Sequence, residues 1–324
     1  MSIKKKFRFW IMFRNTLLFL TAAMFIWVFC HQGMNLYEQK KFPEAGKLVK
    51  VNGENMHVYS KGAGRDTIVL LSGLGTAAPA LDFEPLINEL AKNNRVAVVE
   101  TFGYGWSDFT NKARTVENIV EEIRTALKKA NVEGPYILMP HSISGIYSMY
   151  YADKYPAEVK AVIGIDATLP KALDYFGESA PAMPEYLKYA AQAGVARLAV
   201  NVIPIDFLPL AEKGTYSEEN LKITKAIFAW KGYNRNVVDE TNEIRSNINK
   251  TKELKFPTKM PVLFFAREED KRREEGKSKV AFYQTQLSKS SSSKVVSLQG
   301  YHYLHWTQYR EMSKYVNEFI NSSL

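Results

Sequence analysis

Ser142 stands in the run Tyr136-Ile-Leu-Met-Pro-His-Ser-Ile-Ser-Gly-Ile146, where an apolar strand pattern breaks into small residues and resumes as a helical one. A serine on such a strand-to-helix turn is a nucleophile candidate. The sharp turn holds its backbone in an unfavourable conformation, and only small neighbours leave room for an incoming carbonyl. Pro140 and Ser144 flank it at two positions either side; centring on Ser144 would put β-branched Ile146 in a slot that needs a small side chain. A serine before an apolar periodic run also reads as a helix N-cap, and at this level both readings stand. A hydroxyl is a weak nucleophile at neutral pH, so the chemistry needs a base and donors for the developing oxyanion. Ser72-Gly-Leu-Gly75 follows an earlier apolar run, and a turn there lets the amide N–H groups of Leu74 and Ile143 face one cavity. Gly300-Tyr-His-Tyr-Leu-His-Trp306 follows the last strand pattern and offers His302 as the base, with His305 as runner-up. No third ligand accompanies the two histidines, so neither a metal nor a cofactor is implied.

These residues need a scaffold, and the chain supplies one in order. Asn52-Gly53 between 48–51 and 54–60 predicts a hairpin, because that pair supplies the positive φ angles of a tight turn. Strand patterns follow at 68–71, 95–100, 136–139, 159–165, 261–266 and 294–298, and helical ones at 83–91, 115–130 with Thr115 as cap, 145–154 and 309–320. Apolar runs unbroken by polar alternation imply strands buried on both faces, hence a doubly wound, mostly parallel α/β sheet. Between Leu169 and Lys255 strands give way to helical stretches near 185–200, 217–230 and 234–252. A block inserted there covers the carboxyl ends of the strands, where open sheets bind ligands. The segment 204–210 and the aromatics Tyr186, Tyr189, Phe228 and Trp230 are its candidates for lining an apolar pocket. The scheme is then a basic tip and anchor (1–31), a polar linker (32–47), a core in two parts (48–168 and 256–324) and a helical cap (169–255). The charged run 267–277 and the serine-rich 288–293 read as solvated loops.

The chain has 324 residues, 46% of them hydrophobic, enough for a full core. Its net charge of +9 owes most to Lys4, Lys5, Lys6, Arg8 and Arg14, which precede the first acidic residue, Glu38. The excess elsewhere is too scattered for a phosphate-binding surface, so no nucleic-acid partner is expected. The single cysteine, Cys30, excludes an internal disulfide. After the basic tip, residues 17–30 are apolar, with a second apolar patch at 9–13. No small-x-small cleavage pattern follows, and Arg14 can snorkel, which favours an uncleaved membrane anchor over a cleaved signal. The positive-inside rule then puts the N-terminus in the cytoplasm and the rest outside, at the cell membrane.

Taken together, Pro-His-Ser-Ile-Ser-Gly, Ser72-Gly-Leu-Gly75, Phe102-Gly-Tyr-Gly-Trp-Ser-Asp108 and Tyr301-His-Tyr-Leu-His305 resemble four ordered motifs of the α/β-hydrolase fold superfamily. The likeness covers Val49 to the end. It implies Ser142 as nucleophile, His302 as base and an acid between them in the chain. Family members place the acid either after the strand at 261–266, here Glu269 beside Glu268 and Asp270, or at the end of the preceding strand, here Asp166. Asp166 ends an apolar strand and suits a partly buried acid better; Glu269 is the alternative. The expectation is a membrane-anchored serine hydrolase that cleaves a small ester or amide through an acyl-enzyme. Aminopeptidase-like action on short peptides, as in proline iminopeptidase-like relatives, and a non-catalytic binding protein of the same fold are the alternatives.

Overall fold

Asn52 and Gly53 take φ values of 52° and 93°, and around them strands β1 (Lys47–Val51) and β2 (Glu54–Lys61) close the expected hairpin. The computed structural model describes residues 3–268 and 276–324. Six further strands follow: β3 (Thr67–Leu71), β4 (Arg95–Glu100), β5 (Tyr136–Pro140), β6 (Val159–Ile165), β7 (Val262–Arg267) and β8 (Lys294–Leu298). They form one sheet in the order β1-β2-β4-β3-β5-β6-β7-β8, antiparallel at β1, β2 and β4 and parallel from β4 onward.

Twelve α-helices are described: α1 (Ile3–Lys41), α2 (Pro79–Asp82), α3 (Glu84–Leu90), α4 (Val116–Lys129), α5 (Ser144–Lys154), α6 (Ala172–Phe176), α7 (Val195–Val202), α8 (Glu218–Lys231), α9 (Arg235–Thr251), α10 (Lys279–Gln286), α11 (Leu304–Thr307) and α12 (Tyr309–Ser323). Successive strand residues point to opposite faces. Ile68 and Leu70 of β3 therefore pack with Leu86 of α3 and Phe319 of α12, while Val69 and Leu71 pack with Ile123 of α4 and Ile146 of α5. Each such side chain contributes roughly 1.5–3 kcal/mol when fully buried, which is why β3 tolerates no exposed position. Helices α6 to α9 lie between β6 and β7, as the loss of strand signal suggested. The stretch 185–200 is not one helix: a 3₁₀ turn at Glu185–Tyr189 and α7 are separated by Gly194, which takes the left-handed φ of 76° that ends a regular helix.

The largest departure concerns 32–47. It is not a linker, because α1 continues through it to Lys41. Trp27, His31, Asn35, Glu38 and Phe42 recur every three or four residues and so share one side of that helix. That side docks on the insertion. Trp27 Nε1 donates to the Ala193 carbonyl at 3.0 Å, and His31 Nε2 to the Ala191 carbonyl at 2.9 Å. Arg197 forks onto both Glu38 oxygens at 2.8 and 2.7 Å and donates to His31 Nδ1 at 3.0 Å. Trp230 Nε1 donates to the same Glu38 at 2.8 Å, and Phe42 packs on Ile227 and Trp230. Toward the N-terminus the side chains from Phe7 to Phe29 are mostly exposed and apolar, and α1 is long and apolar enough to cross a membrane.

Candidate active site

Ser142 is held at φ 51° in the turn between β5 and α5. Its N–H donates to the Ile165 carbonyl at 3.2 Å, and its own carbonyl accepts from Gly145 at 3.0 Å and Thr168 at 2.8 Å. Those bonds hold a conformation that a non-glycine residue adopts at a cost of about 1–3 kcal/mol. A methyl at Gly145 would lie 2.5 Å from the Thr168 carbonyl, so the glycine this elbow needs sits at 145. Ser144 fills the neighbouring place for another reason: its hydroxyl donates to the Ser72 carbonyl at 2.5 Å and ties the elbow to the loop after β3. The N-cap reading of Ser142 is not realised. The cap position of α5 is Ile143, with no side-chain cap bond, and the Ser142 hydroxyl points elsewhere.

It points to a histidine. His302 Nε2 accepts from Ser142 Oγ at 2.8 Å, and His302 Nδ1 donates to Asp166 Oδ2 at 2.6 Å. Asp166 is buried at the end of β6, itself at a positive φ of 41°. Its Oδ2 also accepts from Lys279 Nζ at 2.6 Å, a residue at the start of α10. Burial pushes the Asp166 carboxyl up, but the bond from His302 and the charge of Lys279 outweigh it and hold the group below the usual carboxylate range. An ionised Asp166 accepts from Nδ1–H, and that leaves Nε2 free to take a proton. Glu269, the alternative acid, lies outside the described residues.

His305 turns the other way, into the core, where it meets Asp82 Oδ2 at 2.7 Å; Trp306 Nε1 donates to Asp82 Oδ1 at 2.8 Å. Between the two histidines lies His141, fully buried, whose Nε2 donates to the His302 carbonyl at 3.1 Å. Burial, reinforced by the nearby His302 and His305 imidazoles, pushes His141 well below its ordinary range and keeps it neutral.

The turn Ser72–Gly75 presses on this group: a methyl at Gly73 would sit 3.1 Å from Ser142 Cβ and 2.8 Å from His141 Nδ1. The amides of Leu74 and Ile143 donate to no protein acceptor among the described residues. Behind the turn, Gly75 N–H donates to the Tyr104 hydroxyl at 3.3 Å, and Tyr104 and Tyr147 donate to the two oxygens of buried Glu240 at 2.8 and 2.7 Å. Lys279, Glu240 and Asp82 escaped the sequence reading. Only Glu240 left a trace, as a carboxylate on the apolar side of α9 between Val237 and Ile244. The run 102–108 is structural: Ser107 Oγ donates to the Glu100 carbonyl at 2.5 Å and accepts from His57 N–H at 2.8 Å, pinning β2 to β4.

A cavity of about 290 Å³ opens beside the site, lined by Leu74, Gly75 and Tyr303 on the core side and by Phe207, Pro209 and Phe228 on the insertion side. Phe228 thus lines it as expected. Tyr186 and Tyr189 do not, being exposed, and Trp230 is engaged by Glu38, because α1 occupies the side of the insertion on which it lies.

Residues 66–309 match the family described as alpha/beta hydrolase fold. The chain is 32% identical over 322 residues to the uncharacterized protein YbdG of Bacillus subtilis, covering 94% of each. It belongs to the α/β-hydrolase fold family. A shorter match, 24% identical over 115 residues and 35% of each chain, is to a cis-3-alkyl-4-alkyloxetan-2-one decarboxylase of Shewanella oneidensis. Among solved structures, a laboratory-evolved variant of potato epoxide hydrolase superposes with a TM-score of 0.66 at 18% identity, covering 85% of this chain and 98% of that one. Cfl2 of Burkholderia cenocepacia does so at 0.62 and 18%, covering 84% and 94%. These likenesses concern the fold.

Proposed function

We propose that the protein is a membrane-anchored serine hydrolase that cleaves an ester or amide of an apolar acyl group. The observation that carries this reading is the continuous hydrogen-bonded path Ser142–His302–Asp166 on a positive-φ turn, beside two amides that donate to no protein acceptor among the described residues. Ser142 Oγ adds to the substrate carbonyl as its proton passes to His302 Nε2, and Asp166 stabilises the imidazolium. The amides of Leu74 and Ile143 take the oxyanion. His302 returns the proton to the departing alcohol or amine, then deprotonates a water that attacks the acyl-enzyme, and Ser142 is restored.

The reacting side chain also bears on the carbon chemistry. An epoxide opened by a serine oxygen would leave an alkyl ether, which water does not cleave at useful rates, so turnover favours acyl substrates. A peptidase acting on free amino termini needs an anion for the ammonium. Asp82 is the one carboxylate among the described residues lining the cavity, and both its oxygens are taken by His305 and Trp306, which supports an ester rather than a short peptide. The length and apolarity of α1, together with the basic residues ahead of it, support a single crossing with the N-terminus in the cytoplasm and the hydrolase outside.

A fluorophosphonate probe tests the reading. Wild type is expected to label and Ser142→Ala not to; absence of labelling in wild type, or equal labelling of both, would falsify it in favour of a silent binding protein.

A further inference from the structure

The exposed apolar surface of the insertion is concentrated. On α7, Val195, Leu198 and Val202 recur at i, i+3 and i+7, and Ile203 and Ile205 continue the stripe past the helix end. The opposite side of α7, Ala196 and Val200, is buried on Phe228. Val202 is 76% exposed and Ile205 64%, values that a water-facing surface rarely gathers into one patch. The joint with α1 fixes where that patch lies. Trp27 and His31 bond the carbonyls of Ala193 and Ala191, immediately before α7 begins. Trp27 lies near the upper end of the exposed apolar stretch of α1, and Trp10 lies near its lower end. At 1.5 Å per residue the two tryptophans are about 25 Å apart, close to the roughly 30 Å hydrocarbon thickness, and tryptophan settles at both edges of a bilayer. Helix α7 therefore begins at the level where α1 leaves the lipid. Two to four residues beyond Ile205, Phe207 and Pro209 line the cavity beside the Ser142 elbow.

We propose that the α7 stripe, with Ile203 and Ile205, is a second membrane-contact surface resting at the headgroup–acyl boundary, and that a long-chain acyl ester passes from the bilayer by Phe207 into the cavity. The occupant is lipid because the stripe adjoins a helix that itself is built to cross a bilayer. The substrate half of the proposal rests on the serine-hydrolase reading; the contact half does not.

The test uses the full chain with Cys30→Ser, which removes its one cysteine, reconstituted in phosphatidylethanolamine–phosphatidylglycerol vesicles. Leu198→Cys, Val202→Cys and, as control, Lys314→Cys on α12 each carry an environment-sensitive fluorophore, and the vesicles contain lipids with nitroxide on the acyl chain. Fluorescence at 198 and 202 is expected to fall about twofold or more while that at 314 barely changes; quenching at 198 and 202 no greater than at 314 overturns the contact, including the case in which a second copy covers the stripe. In the activity arm, Leu198→Glu with Val202→Glu is expected to lower turnover of a long-chain ester held in vesicles about fivefold while a soluble short-chain ester is hydrolysed at the parent rate. Unchanged turnover of the vesicle ester, or equal loss on both, overturns the entry route. Quenching without hydrolysis of any ester by the parent keeps the contact and overturns the substrate half.

Discussion

Lys279 donates to the same Asp166 oxygen that receives His302, so the acid of the proposed triad already carries a cation before any proton moves. That cation helps hold the Asp166 carboxyl below the usual carboxylate range. In Lys279→Met the carboxyl would lose that support and take up a proton at higher pH, so the acid limb of kcat/KM is expected to move to higher pH; a limb that stays in place refutes the coupling. Asp166→Asn removes the acceptor that selects the tautomer and is expected to cost about 10⁴ in kcat, read with a soluble ester, while fluorophosphonate labelling slows rather than vanishing. Ser142, His302 and Asp166 were legible because each ends an apolar strand or follows one, and strand ends of a parallel sheet converge. Lys279 was not, since its helix begins in a polar stretch with no apolar periodicity, and only the fold brings it to Asp166.

At the scale of elements, the elbow works because α5 lies almost against the loop after β6. Gly145→Val would drive a side chain into the Thr168 carbonyl and is expected to destabilise the fold by about 1–3 kcal/mol or more, measured by denaturant midpoint. The 3₁₀ turn that follows α5, Pro156–Glu158, is tied to α4 by the Arg124 fork on Glu158 at 2.7 to 3.0 Å. Those bonds, with help from Lys128, hold the Glu158 carboxyl down at about 2. A carboxylate lowered on folding stabilises the native state above its ordinary range and loses that contribution as pH falls toward the lowered value. Glu158→Gln should therefore lower Tm at neutral pH, with the gap to the parent closing as pH approaches about 2; a gap independent of pH would refute the assignment. Strands β3 to β7 were legible nearly to the residue, since burial on both faces leaves unbroken apolar runs. The long helix α1 was truncated in the sequence reading because its second half shows polar residues, and a helix side that docks through Trp, His, Asn and Glu carries periodicity without apolarity.

For the molecule as a whole, helix α1 and the insertion between β6 and β7 are joined through Arg197. Its guanidinium is buried among His31, Asn35 and Glu38, so Arg197→Met would strand a largely buried carboxylate and cost about 3–5 kcal/mol. Hydrogen exchange is expected to speed up across 191–202 and along 27–41 while β3 and β5 stay protected; uniform protection would argue that the joint is incidental. Because α1 is unbroken from its apolar stretch to that joint, rotational phase becomes a structural variable. One residue inserted near Ala22 would turn everything above it by about 100°, and four would nearly restore the original azimuth with about 6 Å of added height. With α1 in a bilayer as proposed, the hydrolase domain would be mounted like a key on a shaft, its bearing relative to the lipid surface set by the number of residues below it.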